Sequence, residues 1–265
     1  MGVDKNTAWE NLQIKDDFLF SKVMRDKEIC IALLEKLLKL KIKDIKYLEE
    51  QKTIDIEYDA KSIRLDVYVE DGNRVFNLEM QTTNQYDLPK RSRYYQGMID
   101  LNIIEKGEIY KNLKDSYVIF ICTFDPFGKG LAQYTFENLC LEDEELKLND
   151  GAKKIFYNTT AYDKAEDVDV REFLKYVNGG ESDNPFVKVI EDKVAKVKSS
   201  KEWRQEYMTL LMREREIINE TREEGIRITV KMLKSLGISN EVIIEQLIKE
   251  YKLSEEEANL FMNEE

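Results

Sequence analysis

Two acidic residues, Asp66 and Glu79, stand in short stretches where apolar and polar residues alternate, Ile63 to Glu70 and Val75 to Gln81. Between the stretches, Asp71-Gly72 is a dipeptide that favours a tight hairpin turn. With Asp71-Gly72 as a two-residue loop, Glu70 pairs with Asn73, Val67 with Phe76, Leu65 with Leu78 and Ile63 with Met80. One face of the ribbon is then wholly apolar, which supports this register. The other face carries Arg64, Asp66, Tyr68, Asn77, Glu79 and Gln81. Asp66 stands opposite Asn77, and Glu79 is its diagonal neighbour, about 7–8 Å away by Cα. Two carboxylates so placed can share one cation, at about 2.0–2.1 Å for Mg²⁺. A divalent cation there would offset their repulsion, polarise a phosphate and lower the pKa of a bound water. By spacing alone, a solvated acidic sheet face accounts for the pair as readily, because 53 of 265 residues are Asp or Glu.

The rest of the composition narrows the chemistry. The chain has no histidine. Imidazole general bases, Ser-His and Cys-His nucleophile systems and His-ligated zinc are therefore excluded. Cys30, Cys122 and Cys140 are far apart, form no CxxC pair and sit in apolar runs, so they read as buried free thiols. Carboxylates, Lys, Arg, Tyr, Ser or a hard metal ion remain. With 41 basic and 53 acidic residues the net charge is −12, which repels nucleic acid on average. A nucleic-acid role needs a local basic patch, or cations that bridge protein and phosphate. No apolar run is long enough to span a membrane, and Met1 to Trp9 contains no apolar leader, so a cytoplasmic protein with no membrane partner is expected.

The surrounding elements follow from periodicity. Residues 10–41 carry Phe18, Val23, Ile29, Leu33, Leu34, Leu37, Leu38 and Leu40 at helical spacing, with a break near Asp26 that separates two helices. From Thr53 the period is two, through Ile54, Ile56 and Tyr58. Residues 87–106 are helical again. Ser116 to Phe124 is almost continuously apolar, which predicts a central strand covered on both faces. Leu131 to Leu139 and Lys154 to Asn158 are two further strands. A helix over 169–177 ends at Asn178-Gly179-Gly180. This is an α/β domain over residues 1–180 with an all-helical extension over 181–265. In the extension, Gly237 reads as a helix C′ residue, Ser239 as an N-cap and Ser254 with Glu257 as a capping box. The last two short helices could mimic a helix-turn-helix, but Glu255-Glu256-Glu257 would repel phosphates. Ile190, Val194, Val197, Trp203, Tyr207, Leu210 and Leu211 suit packing or self-association, for instance as a homodimer.

Asp66 followed by a turn and Glu79-Met80-Gln81 resembles the core of the PD-(D/E)XK nuclease superfamily, in the Gln-for-Lys form of its recombination-promoting nuclease and transposase branch. Asp17-Phe18-Leu19-Phe20 is similar to that branch's D-x-x-F signature, and Lys90-Arg91-Ser92-Arg93-Tyr94-Tyr95-Gln96 to its basic-aromatic helix; together these cover about residues 12 to 160. The resemblance implies a restriction-endonuclease-like mixed central sheet flanked by helices. It also implies Mg²⁺- or Mn²⁺-dependent cleavage of phosphodiesters in DNA. Asp66 and Glu79 would be metal ligands with the Met80 carbonyl, and Asp17 or Glu35 would add an acid from the first helices. Gln81 would take the usual lysine position, where a neutral amide can hold a water but supplies no positive charge. That departure puts turnover rate in doubt more than metal binding.

The basic-aromatic helix has two readings. Lys90, Arg91 and Arg93 can neutralise phosphates while Tyr94 supports the strand. Alternatively Tyr94, Tyr95 and Met98 pack on the sheet and the charges are solvated. Both can hold, since Arg91 and Tyr95 share a helix face. The resemblance therefore implies a metal-dependent DNA endonuclease associated with recombination or transposition. Two other readings stay open: a catalytically decayed nuclease fold that binds nucleic acid or protein without cutting, and a structural oligomer built through residues 186 to 235.

Overall fold

The computed structural model describes residues 5–47, 53–54, 63–64, 66–104 and 107–263. They divide into two compact units, one ending at Ser200 and one beginning at Lys201. The first holds helices α1 (Lys5–Glu10), α2 (Asp17–Met24), α3 (Lys27–Leu38), α4 (Leu88–Ile103), α5 (Val168–Val177) and α6 (Pro185–Ser199). Its strands are β1 (Lys46–Tyr47), β2 (Thr53–Ile54), β3 (Ile63–Arg64), β4 (Val67–Glu70), β5 (Arg74–Gln81), β6 (Asp115–Cys122), β7 (Gln133–Phe136) and β8 (Ala152–Asn158). The second holds α7 (Lys201–Ser235), α8 (Asn240–Tyr251) and α9 (Glu255–Asn263). The sequence boundary at 180/181 falls on the Gly179-Gly180 turn, one helix before the division by contacts, because α6 packs against α2 and α5.

Six strands form one mixed sheet in the order β1-β4-β5-β6-β8-β7, while β2 and β3 pair separately. β5, β6 and β8 run parallel, and antiparallel strands close both ends. The apolar run read as a central, doubly covered strand is β6, where Ser116 to Cys122 are all buried. One face lies under α4, whose Leu88, Tyr95, Met98 and Ile99 pack with Tyr68, Val75, Val118, Phe120 and Phe156. The other face presents Phe76, Leu78, Tyr117, Ile119, Ile155 and Tyr157. There α2 lies along β5, and the Tyr157 hydroxyl donates to the Leu37 carbonyl of α3. The break at Asp26 is a helix start: its carboxylate accepts the Ile29 N–H.

Two expectations are corrected. The hairpin register is Val67 with Leu78, Tyr68 with Asn77, Val69 with Phe76 and Glu70 with Val75, two residues from the expected pairing. The turn is Gly72-Asn73, not Asp71-Gly72. The Asp71 N–H donates to the Arg74 carbonyl, the Asp71 carboxylate accepts the Arg74 N–H and pairs with its guanidinium, and Gly72 stands at φ +90. A type II′ turn requires glycine at that first central position. A two-residue shift leaves every side chain on its expected face. Ile56, Tyr58 and Leu65 lie outside the described residues. Secondly, Cys140 is half-exposed, while Cys30 and Cys122 are buried and their thiols are pushed up to about 12 by burial, which leaves them inert.

In the second unit, Ile226 and Val230 of α7 meet Ile243 and Leu247 of α8 and Ala258 and Met262 of α9. The capping box is present: the Ser254 Oγ accepts the Glu257 N–H at 3.2 Å, and Glu257 Oε2 accepts the Ser254 N–H at 2.7 Å. Among the described residues, no helix is long and apolar enough to cross a membrane.

Candidate functional site

The corrected register brings the two acids closer than the sequence suggests. Continued by one residue, it sets Asp66 directly opposite Glu79. Each carboxylate reaches across to the other strand's backbone. The Asp66 N–H donates to Glu79 Oε1 at 3.2 Å, and the Met80 N–H donates to Asp66 Oδ2 at 3.0 Å. The reciprocal bonds fix both side chains. Asp66 is half-buried and Glu79 only 4% exposed. Burial first, and the neighbouring Asp66 charge second, hold the Glu79 carboxyl well above the usual carboxylate range, against the pull of the Asp66 N–H and of Arg91.

These residues line a cleft of about 390 Å³ formed by Lys15, Asp16, Asp17, Asp66, Glu79, Met80, Gln81, Thr82, Arg91 and Tyr95. Asp16 and Asp17 arrive at the start of α2, where an acid is favoured by the helix dipole. Burial, and to a lesser degree the Asp17 charge, raise the Asp16 carboxyl, although it accepts the Gln13 N–H.

Arg91 enters from α4. Its guanidinium donates to Gln81 Oε1 at 2.9 Å and to the Tyr95 hydroxyl at 3.0 Å, and it lies over the Tyr95 and Phe120 rings. The Gln81 amide also donates to the Thr83 carbonyl at 2.6 Å, so its orientation is set from both ends. The i,i+4 spacing of Arg91 and Tyr95 carried this contact in the sequence. Asp16, Lys15 and Thr82 had no motif to announce them.

The sequence candidates therefore separate. Asp66, Glu79, Met80, Gln81, Asp17 and Arg91 share the cleft. Glu35 does not line it: its carboxylate accepts the Ile42 N–H at 2.8 Å and pairs with Lys41, fixing the turn after α3. Lys90, Arg93 and Tyr94 are exposed on the solvent side of α4, at the i,i+3 and i,i+4 spacing of one stripe.

The donor set suits a hard divalent cation. Two carboxylates and nearby amide oxygens are the ligands Mg²⁺ and Mn²⁺ accept, and Mg²⁺ commonly takes one or two carboxylates and keeps several waters. Among the described residues, no three Asp, Glu or Cys side chains are grouped as a metal cage, so Asp17 shares the cleft without completing one.

A parallel three-strand core with antiparallel edges, helices on both faces and an acidic pair on adjoining strands defines a restriction-endonuclease-like α/β protein. The chain matches the family model described as PD-(D/E)XK nuclease family transposase over residues 15–241, and it belongs to that family. No curated protein and no solved structure matches it significantly.

Proposed function

We propose that the protein is a metal-dependent endonuclease that hydrolyses phosphodiester bonds in DNA during recombination or transposition. The reading rests on one observation above all: the Glu79 carboxylate accepts the Asp66 N–H, the Asp66 carboxylate accepts the Met80 N–H, and both acids line one cleft with Arg91. Mg²⁺ or Mn²⁺ held by Asp66 and Glu79 with the Met80 carbonyl would supply Lewis acidity and an acidified water. Asp17, which lines the same cleft, would add a ligand through water. Gln81 orients a water with the N–H and lone pair its present bonds leave over. Arg91 supplies the positive charge that the glutamine lacks, and it remains protonated at any working pH. Lys90, Arg93 and Tyr94 hold the nucleic-acid backbone outside the cleft.

One observation favours a second reading, a binding module on a decayed nuclease fold. Gln81 stands in the lysine position with its amide already held by Arg91 and Thr83. Nicking of supercoiled plasmid in Mg²⁺ or Mn²⁺, wild type against Asp66→Ala, decides between them. The endonuclease reading expects nicking by the wild type and none by the variant. Equal absence of nicking, with DNA binding retained, would establish the module instead.

A further inference from the structure

A second hollow lies on the α4 face of the sheet. It measures about 250 Å³ and is lined by Phe127, Phe136, Phe156, Pro89, Ser92 and Lys154, with Glu137 and Asn138 at the same place. This is below the roughly 300–1,000 Å³ of sites that enclose drug-sized ligands, and suits one planar ring system. Phe156 is buried, whereas Phe136 is 45% exposed. The three rings are set against one another: Phe127 is 5.0 Å by centroid from both Phe136 and Phe156, and Phe136 is 5.8 Å from Phe156.

The hollow is built rather than incidental. Phe127 rides on a loop gathered around Asp125, whose carboxylate accepts the N–H groups of Phe127, Gly128 and Gly130 and the Tyr134 hydroxyl. A preformed aromatic site keeps low the ordering cost of binding. The charge beside it favours an anion. Lys154 lines the hollow, Lys90 and Arg93 are exposed on the helix that contributes Pro89 and Ser92, and the acids nearby are engaged: Glu137 with Lys147 and Lys153, Asp150 with Asn138, and Asp100 in the field of Lys154.

Its position links it to the acidic cleft. Glu79, Phe120 and Phe156 lie in one row across β5, β6 and β8. Two strand spacings separate Glu79 from Phe156, about 10 Å. The Phe120 ring beneath Arg91 stacks on Phe156 at 5.3 Å with 7° between planes. The exposed Phe136 lies one strand further and two residues along, about 16 Å from Glu79, which is roughly five stacked nucleotides of one strand, and fewer if the strand is extended.

We propose that this hollow is a base-binding subsite: an unpaired nucleobase of the DNA strand stacks on Phe136 and Phe127 while the neighbouring phosphates meet Lys90, Arg93 and Lys154. The proposal rests on the DNA reading above and adds a preference for substrate with an unstacked base near the cut. Aromatic platforms beside a basic track are the general means of holding single strands without reading sequence.

The test is fluorescence anisotropy with a labelled single-stranded oligodeoxynucleotide, and with the same strand carrying abasic sugars through its middle, in Ca²⁺ to prevent turnover. Phe136→Leu keeps the apolar bulk and removes the ring, and Phe136→Trp restores a π face. The expected result is about a 5- to 100-fold loss of affinity for the intact strand in Phe136→Leu, recovery in Phe136→Trp, and little effect of either on the abasic strand. Wild-type binding that Phe136→Leu leaves unchanged, or weakens equally on both strands, would overturn the subsite and leave the DNA reading standing. Absence of wild-type binding to either strand would overturn the subsite, while the DNA reading would stand or fall on plasmid nicking.

Discussion

The two faces of β5 are nearly equal in burial and opposite in chemistry. Phe76, Leu78 and Met80 face α2 and α3, while Val75, Asn77, Glu79 and Gln81 face α4, and all seven are buried. On the first face burial is its own stabilisation, about 1.5–3 kcal/mol for each large apolar side chain. On the second, burial is opposed at each polar residue. The buried Asn77 amide and the Tyr68 hydroxyl opposite it make no well-formed side-chain hydrogen bond among the described residues, meeting only Glu79 and Asn102 in poor geometry, and Glu79 keeps its carboxyl out of water beside Asp66. Buried polar groups without partners cost stability, so a sheet that keeps such a row carries it for something other than folding.

The comparison is sharpest in a pair of substitutions. Leu78→Ala should cost about 2–5 kcal/mol of unfolding free energy, measured by urea or thermal denaturation, because it opens a cavity in a close-packed face. The protein that still folds should nick plasmid normally. Glu79→Gln should do the reverse. Nicking should fall by roughly 10²–10³-fold or more, the scale on which removing one transition-state charge partner acts. Metal-free stability at neutral pH should hold or rise, by roughly 2–4 °C in Tm per kcal/mol of repulsion relieved. Loss of stability in Glu79→Gln with unchanged nicking would make the polar row structural.

The pH dependence follows from the same carboxyl. Its folded pKa lies above the unfolded one, so the metal-free native state binds more protons than the unfolded chain as pH rises from 4.5. Metal-free stability should therefore fall with rising pH through that window, and Glu79→Gln should flatten the fall. A cation must displace the same proton, so Mg²⁺ binding measured by titration calorimetry should tighten with pH and release protons to the buffer. A binding enthalpy independent of buffer ionisation would remove Glu79 from the metal site.

What the sequence made legible follows the same division. Alternation and the long apolar run of β6 announce the sheet, because burial on both faces leaves few polar residues to mislead. The D…ExQ spacing announces Asp66, Glu79 and Gln81, since strand parity survives a shift of two residues. The register itself was not legible. Asp71-Gly72 is a good turn dipeptide, and only the three-dimensional bonds from Asp71 to Arg74 move the turn one residue on. Among acids of the early helices the sequence favours Asp17 over Glu35; what removes Glu35 from the cleft is the Ile42 N–H, which a turn seven residues away brings to it. The aromatic hollow was invisible because Phe127, Phe136 and Phe156 are scattered in the chain, and meet only through the pairing of β7 with β8 and the loop around Asp125.

Helix α4 repeats the contrast on a smaller scale, and separates catalysis from attraction. Arg91 is half-buried and held by Gln81 and Tyr95, whereas Lys90 and Arg93 are exposed on the opposite side. Arg91→Ala should lower kcat for nicking by about 10- to 100-fold with a smaller change in KM, because it removes fixed positive charge from the cleft and loosens Gln81. Arg91→Lys should recover only part of this, since an ammonium cannot span both partners as the planar guanidinium does. Lys90→Ala and Arg93→Ala should leave kcat alone. Each should weaken DNA binding uniformly across sequences and reduce the slope of log affinity against log salt by about 1. A large kcat effect from either exposed residue, or a pure salt-slope effect from Arg91, would exchange their roles: the stripe would then approach the reacting phosphate, and the cleft arginine would serve only to bring DNA to the surface.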